Sequence, residues 1–189
     1  MRVTAIVVLA VLACGCLAAQ ANPVIADQIY VDFDPPQYRH WVNPDPGELV
    51  NAYVVVDLTH SYPQEFREVS FALSVTPGMA GNPVFTSFLE SAIGDWRTGI
   101  TLRTTGCVES FPAPVGRLSF TYQGVPGDVK ILDHPTYPRW LVDCGTPGSI
   151  HIYCVRSHGG VGKLPIAGDC GVNPVDDASW GAIKALYRP

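Results

Sequence analysis

The sequence predicts an all-β fold, a two-sheet β-sandwich of immunoglobulin-like or jelly-roll type that ends in a short C-terminal helix. Two observations carry this prediction. Pro, Gly, Asn or Asp interrupts the chain about every eight to twelve residues, and the stretches between these interruptions are rich in Val, Ile, Tyr, Phe and Thr. β-branched and aromatic residues favour strands, and regularly spaced turn signals are typical of sandwiches and barrels.

Eight segments have the composition of strands: 28–33, 49–58, 69–75, 99–105, 116–123, 128–132, 139–144 and 149–155. Two of them alternate clearly and carry these apolar faces: Phe71, Leu73 and Val75, and Leu118, Phe120 and Tyr122. Successive side chains of a strand point to opposite sides, so these faces are expected to form the core. Segment 82–92 has Phe85, Phe88 and Leu89 at helical spacing, which predicts a short helical turn or loop that caps one end of the sandwich.

The first 21 residues have the features of a secretory signal peptide, namely a basic residue, a short apolar run and a small-residue cleavage site. An alternative is that Cys14 or Cys16 carries the lipid of a bacterial lipoprotein, although the residues before them fit that signal less well. We therefore expect a secreted or cell-surface protein, with a sandwich domain over residues 22–175 and a helical tail over 176–189.

Composition excludes some classes of partner. The chain has 12 basic and 17 acidic residues, a formal net charge of −5, and no cluster of Lys and Arg. Nucleic-acid binding needs a basic patch, so it is not expected. After residue 21 no segment approaches the roughly 20 apolar residues of a membrane-spanning helix. No motif for a cofactor is present, and none is expected.

Four cysteines follow the predicted signal peptide: Cys107, Cys144, Cys154 and Cys170. They include no CxxC pair, which argues against zinc, and an exported chain meets oxidising conditions. Two disulfides are therefore expected, and four cysteines allow three connectivities. We favour the pairs 107–144 and 154–170, because the second closes a glycine-rich loop locally.

That loop, "CVRSHGGVGKLP" at 154–165, resembles a phosphate-binding loop only superficially. Ser157 stands where the first glycine of the motif belongs, and Leu164 follows Lys163 in place of Ser or Thr. The glycines at 159, 160 and 162 are instead expected to take positive φ in a wide turn. Lys163 is expected to be a surface side chain whose removal changes stability by less than about 0.5 kcal/mol.

No arrangement typical of an enzyme is evident. The G-x-S-x-G elbow is absent, and Ser157–His158 and Asp133–His134 are sequence neighbours that would point apart on an extended chain. The other histidines, at 40, 60 and 151, lack the companions of a zinc motif. The chain is therefore predicted not to be an enzyme, and a secreted hydrolase is the least favoured interpretation.

Asp32 and Asp34 lie two residues apart on a predicted strand and so share one face. Carboxylates are usually exposed, which favours a solvated strand face. The alternative is a calcium site, because calcium binds clustered carboxylate and carbonyl oxygens. The loop of an EF-hand is missing, so such a site would be irregular.

Exposed aromatic rings are the candidate ligand-binding residues, because flat rings stack on sugars and anchor protein partners. Tyr38 and Trp41 lie close to Tyr30 near the N-terminus, and Tyr137 and Trp140 flank the proline-rich stretch "HPTYPRW". For each ring, packing in the core or at its rim is the alternative. The same alternative applies to Trp96.

The pattern "ELVNAYVVVDL…FALSV…GDWRTGITLRTTGC…PAPVGRLSFTYQG", over residues 47–125, resembles the cohesin-like β-sandwiches of extracellular bacterial scaffolding proteins. The resemblance implies a cohesin-like sandwich. The chain departs from the family at "TPGMAG" and in its cysteines, so the family's dockerin-binding surface is not carried over.

The chain end "NPVDDASWGAIKALYRP" resembles the "TWGxIKxLYR" tails of secreted proteins from environmental bacteria. Asp176 or Asp177 can cap a helix whose one face carries Trp180, Ile183 and Tyr187. The tail is expected to dock on the sandwich, and a sorting or anchoring role is compatible with this.

Together these features predict a secreted, non-catalytic binding or cell-surface module whose ligand is an extracellular protein or a carbohydrate. The second interpretation is a structural component of the cell surface that is retained through its tail. Sequence leaves the ligand and the oligomeric state open.

Overall fold

A computed structural model of the chain describes residues 28–58, 64–138, 140–145, 150–152, 154–155 and 158–164. Within these ranges the chain forms thirteen strands and one short 3-10 turn, at Pro35–Gln37. The strands are β1 (Gln28–Asp32), β2 (Trp41–Val42), β3 (Leu49–Asp57), β4 (Phe66–Val75), β5 (Ala80–Ser87), β6 (Ser91–Asp95), β7 (Gly99–Val108), β8 (Ala113–Tyr122), β9 (Gly127–Leu132), β10 (Trp140–Val142), β11 (Ile150–Ile152), β12 (Cys154–Val155) and β13 (Gly159–Val161).

The strands form two sheets, as the sequence predicts for a β-sandwich. The smaller sheet has five strands in the order β12-β1-β3-β8-β5. The larger has eight, with β11-β10-β4-β9-β13-β2 in one path and the β6–β7 hairpin paired to β4 through β7. Neighbours are antiparallel except in the β1–β12 and β2–β13 pairs, which are parallel. No helix among the described residues is long and apolar enough to cross a membrane.

The core lies between the two sheets and is built from the predicted faces. Phe71 and Leu73 of β4 meet Leu118 and Phe120 of β8 in one cluster of buried apolar side chains. In β3, the residues at even positions from 50 to 56 point inward, and those at odd positions point to the opposite face. Trp96 also belongs to the core cluster, and the Arg97 guanidinium lies 4.0 Å from the centre of its ring.

The prediction for segment 82–92 is wrong, because it contains most of β5 and the start of β6 in place of a helical turn. Phe85 turns inward onto the core, while Val84 and Thr86 point outward in the period of a strand. Antiparallel pairing with β8 supplies the backbone hydrogen bonds that hold this segment as a strand. The helical spacing is therefore a coincidence, because Phe85 lies in β5 whereas Phe88 and Leu89 lie in the link to β6.

The predicted strand 149–155 is split between the sheets. β11 pairs with β10 in the larger sheet, whereas β12 pairs with β1 in the smaller one. The chain thus crosses from one layer to the other within a few residues.

The glycine-rich loop differs from its prediction as well. Residues Gly159–Val161 form β13, a buried strand between β9 and β2, and only Gly162 of the three glycines has positive φ, at 67°. A Cβ at Gly159 would lie 2.5 Å from Val31 Cγ1, so this glycine permits close packing of the strand.

Lys163 is not a surface side chain without a structural role. Its Nζ lies 2.8 Å from Oδ2 of Asp128, a carboxylate that is 3% exposed. A buried carboxylate needs a partner, because its desolvation is otherwise uncompensated.

The predicted Cys107–Cys144 disulfide is confirmed and joins the end of β7 to the residue pair that follows β10. It closes a separation of 37 residues, which in the chain-entropy account stabilises the fold by about 3–5 kcal/mol. Cys154 is also disulfide-bonded. Its predicted partner Cys170, the signal segment 1–21 and the tail residues 176–189 lie outside the described residues.

A glycine in β8 tests the packing between β5 and β8. A side chain at Gly116 would overlap the ring of Phe85, so Gly116→Ala should lower the free energy of unfolding by about 1–3 kcal/mol. Gly106→Ala is the matched control, because nothing lies within 4 Å of a Cβ there. Urea unfolding of both variants makes the comparison, and equal losses would contradict the packing.

A second prediction concerns the Lys163–Asp128 pair. Lys163→Ala should lower the free energy of unfolding by about 1–3 kcal/mol, because it leaves the Asp128 carboxylate buried without its cation. In an Asp128→Asn background the same change should cost less than about 0.5 kcal/mol. A loss that is the same in both backgrounds would show that the pair does not stabilise the fold.

Candidate functional site

Asp32 organises the segment that follows β1. Its Oδ1 accepts hydrogen bonds from the backbone N–H groups of Asp34, at 2.7 Å, and Arg39, at 3.1 Å. The N–H of Phe33 also donates to the carbonyl of Arg39, at 2.8 Å. Residues 33–39 are thereby closed into a compact loop. The prediction of a solvated strand face is wrong for Asp32, which is 0% exposed, because this loop folds over it.

His40 packs beside the same carboxylate. Its Nδ1 lies 3.1 Å from the carbonyl oxygen of Val31, to which it must donate, and 3.8 Å from Asp32 Oδ2. The imidazole meets the ring of Tyr30 edge to face at 5.2 Å between centres. Tyr30 is buried, so it belongs to the support beneath the loop and not to an exposed aromatic cluster.

The closed loop forms one wall of a cleft of about 510 Å³, which we call the aromatic cleft. Its lining residues are Phe33, Asp34, Pro35, Tyr38, Tyr53, Pro112 and Pro114. Three rings and three prolines thus surround one carboxylate. Ligand pockets commonly have volumes of about 300–1,000 Å³ and combine apolar walls with a few polar groups.

The register of the smaller sheet explains how Tyr53 comes to lie in the cleft. Tyr53 pairs with Asp32 of β1 on one side and with Arg117 of β8 on the other. Directly paired residues share a face, and the neighbours of Tyr53 in β3 point into the core. Tyr53 therefore projects from the outer face, where its ring lies 6.2 Å from that of Phe88.

Sequence reasoning missed most of the aromatic cleft. Tyr38 was predicted and lines it, with 50% of its surface exposed, whereas Trp41 does not line it and pairs with Gly160 in the larger sheet. Tyr53 was not singled out, although the alternation of β3 contains the signal that turns it outward. Phe33 and the prolines are brought together by folding and have no local signature.

The other predicted aromatic pair lies in a second place. The rings of Tyr137 and Trp140 are 4.8 Å apart, and the imidazole of His134 stacks on Tyr137 at 5.2 Å. His134 packs on Gly99 at the start of β7. All three side chains are half-buried, and ligand binding by Tyr137 and Trp140 stays a prediction.

Each histidine whose side chain the structure describes forms a hydrogen bond between its Nδ1 atom and a backbone group. His134 Nδ1 accepts from the N–H groups of Thr136 and Tyr137, both at 3.1 Å, and His158 Nδ1 accepts from that of Ile131, at 3.3 Å. With the His40 contact to the Val31 carbonyl, these bonds give each imidazole a structural partner.

Metal coordination has little support among the described residues. One group of three potential ligands lies within 4.8 Å, namely Glu65, Cys107 and Cys144. The two sulfurs are joined in the disulfide and do not act as thiolate ligands. The calcium candidates Asp32 and Asp34 belong to no such group in the described ranges, and Asp32 Oδ1 is occupied by two backbone N–H groups.

Glu90 fixes the link between β5 and β6, close to Phe88 in sequence. Its Oε1 accepts from the hydroxyls of Thr105, at 2.9 Å, and Thr104, at 3.2 Å, and its Oε2 accepts from the Thr105 N–H, at 2.9 Å. These bonds hold the pKa of Glu90 below its ordinary value of 4.5, and the hydrogen bond from the Thr105 hydroxyl makes the largest contribution.

Comparison with known proteins identifies the class of fold. No known family profile matches the chain, and no curated protein matches it. The sixth cohesin of scaffoldin B from Acetivibrio cellulolyticus, solved in complex with a mutant Cel5 dockerin, superposes with a TM-score of 0.51 at 13% identity over 74% of this chain and 99% of that chain. A complex of a CaDoc0917 variant with CaCohA2 at pH 5.5 gives a TM-score of 0.48 at 13% identity, over 71% and 97%. The first likeness confirms a cohesin-like β-sandwich.

The Glu90 bonds predict a pH dependence. A carboxyl whose pKa is lower in the folded than in the unfolded chain stabilises the fold above its ordinary pKa and loses this contribution as pH falls. The free energy of unfolding of the native chain should therefore exceed that of Glu90→Gln by its full difference above pH 4.5, and this difference should shrink as the pH falls below 4.5. Chemical unfolding at several pH values measures this. An advantage that grows toward acid would contradict the assignment, and Thr105→Val should reduce the same dependence.

Proposed function

We propose that this chain is a secreted, non-catalytic binding module that acts outside the cell or at its surface, on an extracellular protein or polysaccharide. The aromatic cleft is the observation that carries the proposal. Converging rings with few polar groups, held here by a hydrogen-bonded loop and a strand of the sheet, are typical of recognition sites. Tyr38 and Phe88 add exposed rings on either side of Tyr53.

Two further features support a module without chemistry. The described histidines whose side chains are placed are tied to the main chain, as expected of structural residues. The fold is a cohesin-like sandwich, and the cohesin of scaffoldin B is solved in complex with a dockerin. That partner is a property of the scaffoldin module, and at 13% identity we take only the sandwich from it.

A structural role at the cell surface is the second candidate function. It is favoured by β6, which forms an exposed edge of the larger sheet. All five residues of β6 are exposed, Ile93 is 55% exposed, and in the described part of the chain β6 pairs with β7 on one edge only. β5, the edge of the other sheet, carries Pro83 and a break in its pairing between Gly81 and Val84. A proline and a register break of this kind hinder pairing with the edge strand of another molecule. β6 has neither, so its edge is open to such pairing.

Two exposed rings of similar size and exposure provide a matched test of the binding function. Tyr38 lines the aromatic cleft, and Trp41, at 47% exposure, does not. We expect ligands found by the whole chain on glycan and peptide arrays to lose at least tenfold in affinity with Tyr38→Ala and less than twofold with Trp41→Ala.

Equal effects of the two substitutions, or no effect of either, would contradict a site in the cleft. Concentration-dependent assembly of the whole chain that Ile93→Lys abolishes would instead support the structural role. Sedimentation velocity measures that assembly.

A further inference from the structure

We infer that the aromatic cleft and the sheet face beside it bind a neutral polysaccharide chain, with Arg117 as a ligand-binding residue. This inference rests on the proposed binding function and names the class of its ligand. It is carried by the arrangement of rings, donors and acceptors on the outer face of the smaller sheet.

The register places four outward side chains in one row across the sheet. Asp32, Tyr53, Arg117 and Thr86 are consecutive partners on β1, β3, β8 and β5. Directly opposed residues have Cβ atoms about 4.5–5.5 Å apart, so Arg117 stands beside the ring of Tyr53. Arg117 Nε is buried and has no hydrogen-bond partner among the described residues. A donor left in this state costs free energy. Arg117 as a whole is only half-buried, so a turn of its guanidinium toward a bound acceptor would recover that cost.

The next row supplies neutral polar groups. Asn51 of β3 and Val84 of β5 flank Ser119 of β8, whose hydroxyl donates to Asn51 Oδ1 at 2.7 Å. Phe88, 45% exposed, contacts Tyr53 from the β5 side. The face therefore continues the aromatic cleft as a strip of rings bordered by amide and hydroxyl groups.

A sugar chain satisfies both ends of this site. Asp34, in the cleft wall, offers only acceptors, and the guanidinium of Arg117 offers only donors. Hydroxyl groups both donate and accept, so one polyhydroxylated ligand can bond to both, while the C–H faces of its rings lie on Tyr53 and Phe88. A purely apolar ligand leaves both groups unpaired. An acidic glycan meets the Asp34 carboxylate and a chain of net charge −5.

A peptide fits the site less well. Extended peptides are held by main-chain hydrogen bonds at sheet edges, whereas the backbone groups of β3 and β8 here are used by neighbouring strands on both sides. Three of the lining residues, Pro35, Pro112 and Pro114, have no N–H to donate. Recognition must therefore come from side chains, which favours stacking on sugar rings.

Isothermal titration calorimetry of the whole chain tests the inference. Cellohexaose, xylohexaose and mannohexaose serve as neutral probes, trigalacturonate as an acidic probe and decaproline as a peptide probe. At least one neutral hexasaccharide should bind, and Arg117→Met should weaken it at least tenfold. The melting temperature of this variant should be unchanged or higher, because a buried donor without a partner is removed.

Arg103→Met is the matched control. Arg103 lies on the larger sheet and pairs with Glu68 through its Nε, so its loss should change affinity less than twofold. Absence of binding to every neutral probe, tighter binding of trigalacturonate, or full affinity in Arg117→Met would overturn the inference. Decaproline binding that depends on Tyr38, without sugar binding, would overturn it and leave the proposed function standing. If the chain binds none of the probes and nothing on the arrays, both this inference and the proposed binding function are contradicted.

Discussion

The register between β3 and β8 is the constraint on which both the core and the candidate site depend. Strand side chains alternate, so pairing Ala52 with Leu118 on the inner face fixes Tyr53 beside Arg117 on the outer face. A shift of one residue would bury the polar set and expose the apolar one. The stability of the core therefore also determines which side chains are presented to a ligand, and no separate device is needed to hold them.

Asp32 adds the second element of the site. Its buried carboxylate gathers the N–H groups of Asp34 and Arg39, so that Phe33 and Tyr38 stand opposite Tyr53 across the cleft. Backbone N–H groups left unsatisfied beneath this loop would cost about 1–3 kcal/mol each. The same carboxylate that the sequence suggests as a metal ligand is thus a structural acceptor that shapes the binding surface.

The fold follows from the sequence where patterns are local, and the site follows only in part. Alternation over Phe71–Val75 and Leu118–Tyr122 is sufficient to predict two inner faces, and the cohesin-like arrangement agrees with them. Segment 82–92 misleads because Phe85 of β5 and the link residues Phe88 and Leu89 imitate helical spacing. The aromatic cleft joins β3 and β8 with the segments before β2 and β8, and long-range contacts of this kind have no signature in a single stretch. The buried state of Asp128, which gives Lys163 its role, is equally a product of tertiary packing.

Ligand binding on the outer face of the smaller sheet is the proposal on which the function of this chain depends. The most direct measurement is NMR mapping of the ¹⁵N-labelled whole chain during titration with the neutral hexasaccharide that binds. We expect the largest amide shifts on Tyr53, Arg117 and Thr86 and on the 33–38 loop, in the register that joins β1, β3, β8 and β5. Shifts concentrated at Ile93 on the β6 edge, or at the Tyr137–Trp140 stack, would contradict it.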